Sequence, residues 1–205
     1  MMTKIPAGTE RKDDAVKSAV PMVNGKLEIV PLPQAQFQGC AIEFRYVTTV
    51  CYRAECRASE DGFALCFVRT ALPAPMEKSF TDHLYEPWLE QPAAFGVLQE
   101  GRLAACIEMC METWNNRARV AELWVQADWR RRGVGRALWA RGLQWAREQG
   151  ARALVLETQS CNAPAIAFYR AMGMQLVGCD LAAYTNADAE RDEVRMELGM
   201  PLTKG

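Results

Sequence analysis

The 205-residue sequence predicts a mixed α/β (α+β) fold around one central sheet, and three observations carry that reading. Alternating segments rich in β-branched and aromatic residues recur along the chain. Two stretches, Val134 to Gly150 and Ala163 to Gly173, have helical periodicity and end on glycine stop signals. The elements follow one another as strands, helix, antiparallel strands, helix, strand, helix, strands, the order of helices packed on a shared sheet.

Residues 1–38 mix charges with Pro21, Pro31 and Pro33 and read as a variable N-terminal arm carrying one short strand, LEIV. That leaves 39–205 as a single domain, in keeping with a core size of roughly 150 residues. CAIEFRYVTTVCYRAECRA and GFALCFVRTAL flank the turn signal Glu60-Asp61-Gly62 and read as two antiparallel strands. Phe80, Leu84 and Trp88 have helical spacing, which predicts a helix from Lys78 that Pro87 ends near Glu86, short of Glu90. AAFGVLQ, the turn Glu100-Gly101 and LAACIEMCMETW give a strand, a hairpin turn and a longer strand.

WNNR then turns the chain into the strand RVAELWVQ. Val134, Leu138, Arg141 and Trp145 form a helical stripe that stops at Gln149-Gly150. ARALVLETQ is nearly all apolar, as suits a strand buried on both faces. Ala163 to Met172 reads as a helix with Pro164 in its first turn and Gly173 as its C-terminal cap. MQLVGCDLAAYT and DEVRMELG are the last two strands, around an acidic turn.

Composition narrows the function classes. With 24 basic and 25 acidic residues the formal net charge is −1, so no global attraction draws the chain to nucleic acid or anionic membrane. No apolar run reaches the roughly 20 residues of a membrane span and the N-terminus lacks a signal-peptide core, so a cytoplasmic location is expected. The eight cysteines read as reduced, mostly core residues. Without a Cys-x-x-Cys pair, and with His83 as the single histidine, no metal site is expected. His83 reads as a helix-surface or packing residue, and Trp129, Trp139 and Trp145 as packing residues.

RRRGVGRAL, Arg130 to Leu138, breaks a local rule. Arginines before a helix face the positive end of its dipole, where a cation loses roughly 0.3–1 kcal/mol. A bound polyanion reverses that penalty, because arginines and unpaired helix amides would then share one negative charge. Leu138 stands where the third glycine of a dinucleotide fingerprint would fall, and there is no Gly-Lys of a phosphate-binding P-loop. A pyrophosphate cradle at a strand-to-helix junction is what remains.

Together with LETQSCNAPAIAFYRAMGMQLVG, this stretch resembles the GNAT superfamily of N-acetyltransferases, with the likeness running from about Phe95 to Thr185. WNNRARVAELWV and LETQSCN are similar to the corresponding motifs of streptothricin acetyltransferases. The resemblance implies a mostly antiparallel central sheet flanked by helices, acetyl-CoA as co-substrate, and a small cationic amine as acceptor, with a streptothricin-like antibiotic as the candidate. Transfer to a protein or peptide amine, and a non-catalytic CoA- or nucleic-acid-binding module, are the alternatives. Expected partners are the acceptor and at most a second copy of the chain, with no nucleic acid and no membrane.

The same resemblance implies roles. Arg130, Arg131, Gly133, Val134, Gly135 and Arg136 would hold the pyrophosphate, the backbone of Leu123, Trp124 and Val125 the pantetheine, and Asn162 the cofactor arm. Tyr169 would be the general acid for the departing thiolate. Trp114, Asn115 and Glu157 would border the acceptor. An amine with a pKa near 10 is protonated at neutral pH, so the reaction needs a carboxylate base, and Glu122 is the candidate. Alternation puts Val120, Glu122 and Trp124 on one strand face unless a bulge intervenes. The subgroup carries two neighbouring acids where this chain has Ala121 and Glu122. Its ending, ERDEVRMELG, also lacks the subgroup's aromatic character. Glu108 and Glu112 are further acids that can line the cleft.

Overall fold

The computed structural model describes residues 22–23 and 26–202, so residues 1–21 of the expected arm lie outside the described part. Two short strands, β1 (Met22–Val23) and β2 (Lys26–Leu27), pair antiparallel. They lead to β3 (Val30–Pro31) and the single turn α1 (Gln34–Phe37). The strand expected at LEIV is therefore divided between β2 and β3. Two long strands follow, β4 (Ala41–Ser59) and β5 (Gly62–His83), paired with each other as a separate two-stranded ribbon.

The hairpin β6 (Ala93–Gln99) and β7 (Arg102–Glu112) leads into β8 (Arg117–Val125), the helix α2 (Val134–Glu148) and β9 (Ala153–Gln159). The helix α3 (Ala163–Ala171) and the strands β10 (Gln175–Asp180) and β11 (Arg195–Pro201) complete the chain. The central sheet has seven strands in the order β10-β11-β9-β8-β7-β6-β3. Among the described residues only β8 and β9 run parallel, joined by α2 as crossover. This is the mixed, mostly antiparallel sheet with flanking helices that the sequence predicts.

Amphipathic logic places the core. Val134, Leu138, Trp139, Trp145 and Ala146 of α2 are buried against Ile107, Met109 and Val120 of the sheet. β7 is buried without a break from Ala104 to Met111 because both of its faces are covered. A second cluster, with Leu32, Ile42, Leu84, Tyr85 and Cys106, closes the other face beneath the base of the ribbon. Trp129, Trp139 and Trp145 are all buried, as packing residues should be. Cys51, Cys106, Cys110 and Cys161 are buried, whereas Cys56 and Cys66 sit exposed on the ribbon, outside any core.

The helix expected from Lys78 to about Glu86 does not form. Lys78 to His83 is the end of β5, paired in register with Ala41 to Tyr46, and Phe80 stacks on Phe44 with ring centroids 4.8 Å apart. The apparent stripe is no stripe, since Leu84 is fully buried while Phe80 and Trp88 are exposed. A cross-strand partner outweighed helical spacing of three residues. His83 accordingly ends a strand and sits on no helix.

Close approach makes Gly96 a stability determinant. A Cβ there would come within 2.8 Å of the Ala105 carbonyl oxygen and 2.7 Å of Leu32 Cδ1. Backbone cannot yield as a side chain can, so Gly96→Ala is expected to cost about 1–3 kcal/mol, measured as a lowered midpoint in urea.

Candidate active site

The site starts where the sheet opens. β8 and β9 pair from Arg117↔Ala153 to Val120↔Leu156, and the two strands then continue without pairing to each other. At the same level β8 gains an extra residue: Met109 pairs with Val120 and Glu108 with Glu122, leaving Ala121 as a bulge. The bulge reverses the alternation. Val120 faces Met109 and the α2 side, as do Leu123 and Val125, while Glu122 and Trp124 face the other side with Glu108 and Cys106. Simple alternation would have put Val120 and Glu122 on one face; the extra residue separates them.

Beneath the opening lies a cavity of about 1050 Å³, bounded by the base of the ribbon, β7, the free end of β8, the start of α2, the end of β9 and α3. The ribbon is fastened over it by two bonds from the opposite wall. Trp124 Nε1 donates to the Glu43 carbonyl at 2.7 Å, and Arg130 Nη1 to the Arg45 carbonyl at 2.8 Å. Arg130 Nε also donates to the Val125 carbonyl, 2.9 Å away. Part of Arg130 thus closes the wall, a duty the sequence did not suggest.

One end of the cavity is a cradle for an anion. Gly133, with φ +82°, caps α2 without a side chain, and a Cβ there would meet nothing within 4 Å. The first helical amide bond runs from Ala137 N to Gly133 O, 3.0 Å, so the amides of Val134, Gly135 and Arg136 have no partner from the helix itself. Arg131, at φ +64°, and Arg136 are exposed beside them, and with Arg130, Gly133 and Gly135 they line the cavity. These are the donors a pyrophosphate requires, so the residues fit that group. Asn162 lines the same cavity while its side chain caps α3, accepting from Ala165 N at 3.2 Å.

The cavity also gathers acids. Glu122, half-buried, is pushed up to about 9, by burial first, then by the charge of Asp82 and a hydrogen bond shared with it, and then by the charges of Glu108 and Glu157. Glu108 is 1% exposed and raised to about 7, again chiefly by burial. One of its oxygens accepts from Tyr85 N at 2.6 Å; the other is buried without a partner among the described residues. Asp82, His83 and Glu86 bring ligand atoms within 4.8 Å of one another at the rim, a grouping as suited to an ammonium as to a metal ion. Glu112 is saturated by Arg117 and Arg119, and Glu157 by Tyr184 Oη at 2.6 Å and Arg195 at 2.8 Å.

Tyr169 lines the cavity from α3, its ring against Trp139 and Phe168 at 5.8 and 5.5 Å between centroids. Burial, with the Glu122 charge adding to it, holds its phenol well above the ordinary value, so the hydroxyl keeps its proton.

Trp114 and Asn115 are not brought to this site. They occupy the β7–β8 turn, away from the free end of β8. Arg152 Nε donates there to the Asn115 carbonyl, 2.7 Å, and Trp114 is 81% exposed outside the cavity lining. Proximity in sequence to β8 did not translate into proximity to its open end. The site residues that sequence reasoning missed are Asp82, Glu86 and Tyr46, all from the ribbon and its exit loop. Glu108 had a readable signal, a single acid inside the apolar run LAACIEMCM.

Comparisons with known proteins agree with this geometry. The acetyltransferase (GNAT) family model matches residues 63–174. A streptothricin acetyltransferase of Streptomyces lavendulae is 35% identical over 102 residues, 50% of this chain and 53% of the relative, so the match spans about half of that protein's length. The crystal structure of nourseothricin acetyltransferase superposes with a TM-score of 0.66 at 28% identity, over 86% of this chain and 98% of that one. A Bacillus anthracis protein solved in complex with acetyl coenzyme A has the same fold, at TM-score 0.66 and 22% identity, with 86% and 98% covered. With the splayed strands, the glycine-capped cradle and the family match in agreement, the chain belongs to the GNAT acetyltransferase family.

Proposed function

We propose that the protein transfers the acetyl group of acetyl-CoA to a primary amine of a small cationic acceptor, a streptothricin-like antibiotic being the favoured class. The observation that carries this reading is that one cavity joins an anion cradle at α2 to a cluster of acids at β7 and β8. The likeness to nourseothricin acetyltransferase over 98% of its length supports the choice of acceptor.

Acetyl-CoA supplies an activated acyl carbon when bound; the chain's residues do the rest. The amides of Val134, Gly135 and Arg136, with Arg131, would hold the pyrophosphate, and the unpaired edge of β8 from Leu123 to Val125 the pantetheine. Those preorganised edge dipoles would also polarise the thioester carbonyl, an effect worth a few kcal/mol per donor. Glu122 would take the ammonium proton and Tyr169 give one to the leaving sulfur. Asn162 would lie against the pantetheine arm and Glu157 at the acceptor end.

CoA at 100-fold above its dissociation constant is expected to stabilise the fold by about 2.7 kcal/mol, read as a melting shift. Gly133→Val should abolish that shift, since a β-branched residue resists φ +82° and its side chain fills the space left for the ligand. The ligand-free melting point of the variant separates loss of binding from loss of fold. No shift of the wild-type protein with millimolar CoA would end the assignment. Thiol release across streptothricin, aminoglycosides, polyamines and lysine peptides then decides the acceptor.

A further inference from the structure

Resting on the acetyl-transfer reading, we propose that Glu108 is a positioning residue for the reaction, acting through Glu122: its buried carboxylate stands directly across the β7–β8 pair and, together with Asp82 at the end of the ribbon, sets negative charge against Glu122 where the acceptor's ammonium must give up its proton.

The geometry singles out Glu108. It is the partner of Glu122 in the strand register, at the level of the bulge, so the two side chains share one face of the sheet about 5 Å apart at Cβ. Burying an acid in the middle of a strand is unfavourable unless its oxygens are satisfied, and here one is not. The other is held by the amide of Tyr85, a non-glycine residue at φ +63°. Tyr85 is fixed in that conformation from its far end, where its hydroxyl donates to the Leu32 carbonyl and accepts from Ala94 N at 3.0 Å. Strained backbone therefore aims one donor at Glu108 and leaves its second oxygen free in the acid cluster.

The groups around the pair agree with this role. Asp82 and Glu86 approach from the ribbon and its exit, Glu157 from β9, and Tyr169 from α3. Cys106, beside Glu108 on β7, is kept protonated by burial and by the Glu122 and Glu108 charges. Of the basic side chains lining the same cavity, Arg195 pairs with Glu157 at 2.8 Å, Arg119 with Glu112, and His83 stands 3.8 Å from Glu86. The acceptor would bring the positive charge that Glu122 faces.

The proton balance follows. The acceptor enters as an ammonium and pairs with the ionised Glu122. One N–H proton passes to the Glu122 carboxylate, and the freed amine lone pair forms the C–N bond as the C–S bond breaks. The sulfur takes the proton of Tyr169, the new amide nitrogen sheds its second proton to restore the Tyr169 hydroxyl through solvent, and Glu122 releases its own proton to water, one net proton per acetyl group transferred. Transfer from an ammonium of pKa near 10 to an ordinary carboxylate is uphill by roughly 6 pKa units, and burial of Glu122 first, then the like charges of Asp82 and Glu108, reduce that gap.

Glu108→Gln keeps the shape and the acceptor for Tyr85 N–H but removes the charge. The ascending limb of the kcat/KM–pH profile is expected to move about 1–2 units lower, as Glu122 loses its proton more easily, while kcat on the plateau falls roughly threefold to tenfold because the base is weaker. A structural role would lower the melting point and leave the limb in place, which would overturn the proposal. Carbon-13 titration of the side-chain carboxyls in the wild-type protein needs neither variant nor turnover. Glu108 and Glu122 should titrate as a coupled pair displaced upward, and titration of both in the ordinary carboxylate range would also overturn it. If CoA stabilises the protein and the limb stays put, this inference alone fails; if CoA does not, the acetyl-transfer reading fails and the titration still decides the pair.

Discussion

Glu122→Gln is expected to lower turnover by roughly 10²–10⁴-fold near neutral pH, with acetyl-CoA binding little changed. The magnitude follows from the proton to be moved. From an ammonium of pKa near 10 to a carboxylate of ordinary strength the transfer is uphill by about 8 kcal/mol, at 1.36 kcal/mol per unit. With Glu122 raised to about 9, the same transfer is uphill by only about 1.4 kcal/mol. Wild-type activity should therefore climb with pH as Glu122 loses its resting proton near 9, and the glutamine variant should recover only as the free amine itself accumulates. A deficit that stays constant from pH 6 to 10 would assign the base elsewhere. Stability should respond with the opposite sign. A group raised from 4.5 to about 9 on folding contributes stability that is full below 4.5 and lost as pH rises through 9, so the wild-type melting point should fall over that window more than that of the variant.

Tyr169→Phe is expected to slow turnover by about 10²–10⁴-fold while leaving the CoA-induced melting shift intact. Phenylalanine keeps the ring contacts with Trp139 and Phe168 and loses only the hydroxyl. Because burial holds the phenol proton in place, the side chain is a donor throughout the working pH range. The separation of the two readouts is the test: an equal loss of binding and turnover would make Tyr169 a wall of the cavity, and normal turnover would remove it from the chemistry.

What the sequence made legible is what local physics decides. The stripe of α2, the glycine turn before it, the side-chain cap of Asn162 and the apolar run of β9 all depend on neighbours within a few residues, and each stands where its pattern puts it. The helix expected at Lys78 failed because its residues answer to Ala41–Tyr46, some 40 positions away in the chain. The acid cluster was legible only in part, in Glu108, Glu122 and Glu157, and its assembly was hidden for the same reason. Glu108 and Glu122 meet by register, and Asp82 arrives at the end of a ribbon whose length no local signal fixes. Trp114 and Asn115 show the converse, since a turn close to a site strand in sequence can lie at that strand's other end.

The bulge at Ala121 makes β8 a strand of two phases, and this sets which kinds of mutation can alter the site. A substitution at any of positions 122–125 changes a side chain where it stands. Pulling the extra residue into regular pairing, with the chain length unchanged, would instead exchange the faces of the whole segment, turning Glu122 toward the α2 side and Leu123 and Val125 into the cleft, whereas deleting Ala121 would leave Val120 and Glu122 on opposite faces as they are now. The carboxylate proposed as the base is thus placed by the bulge as much as by residue identity. A related chain that kept the acid and the residue count but lost the bulge would carry the right letter on the wrong face.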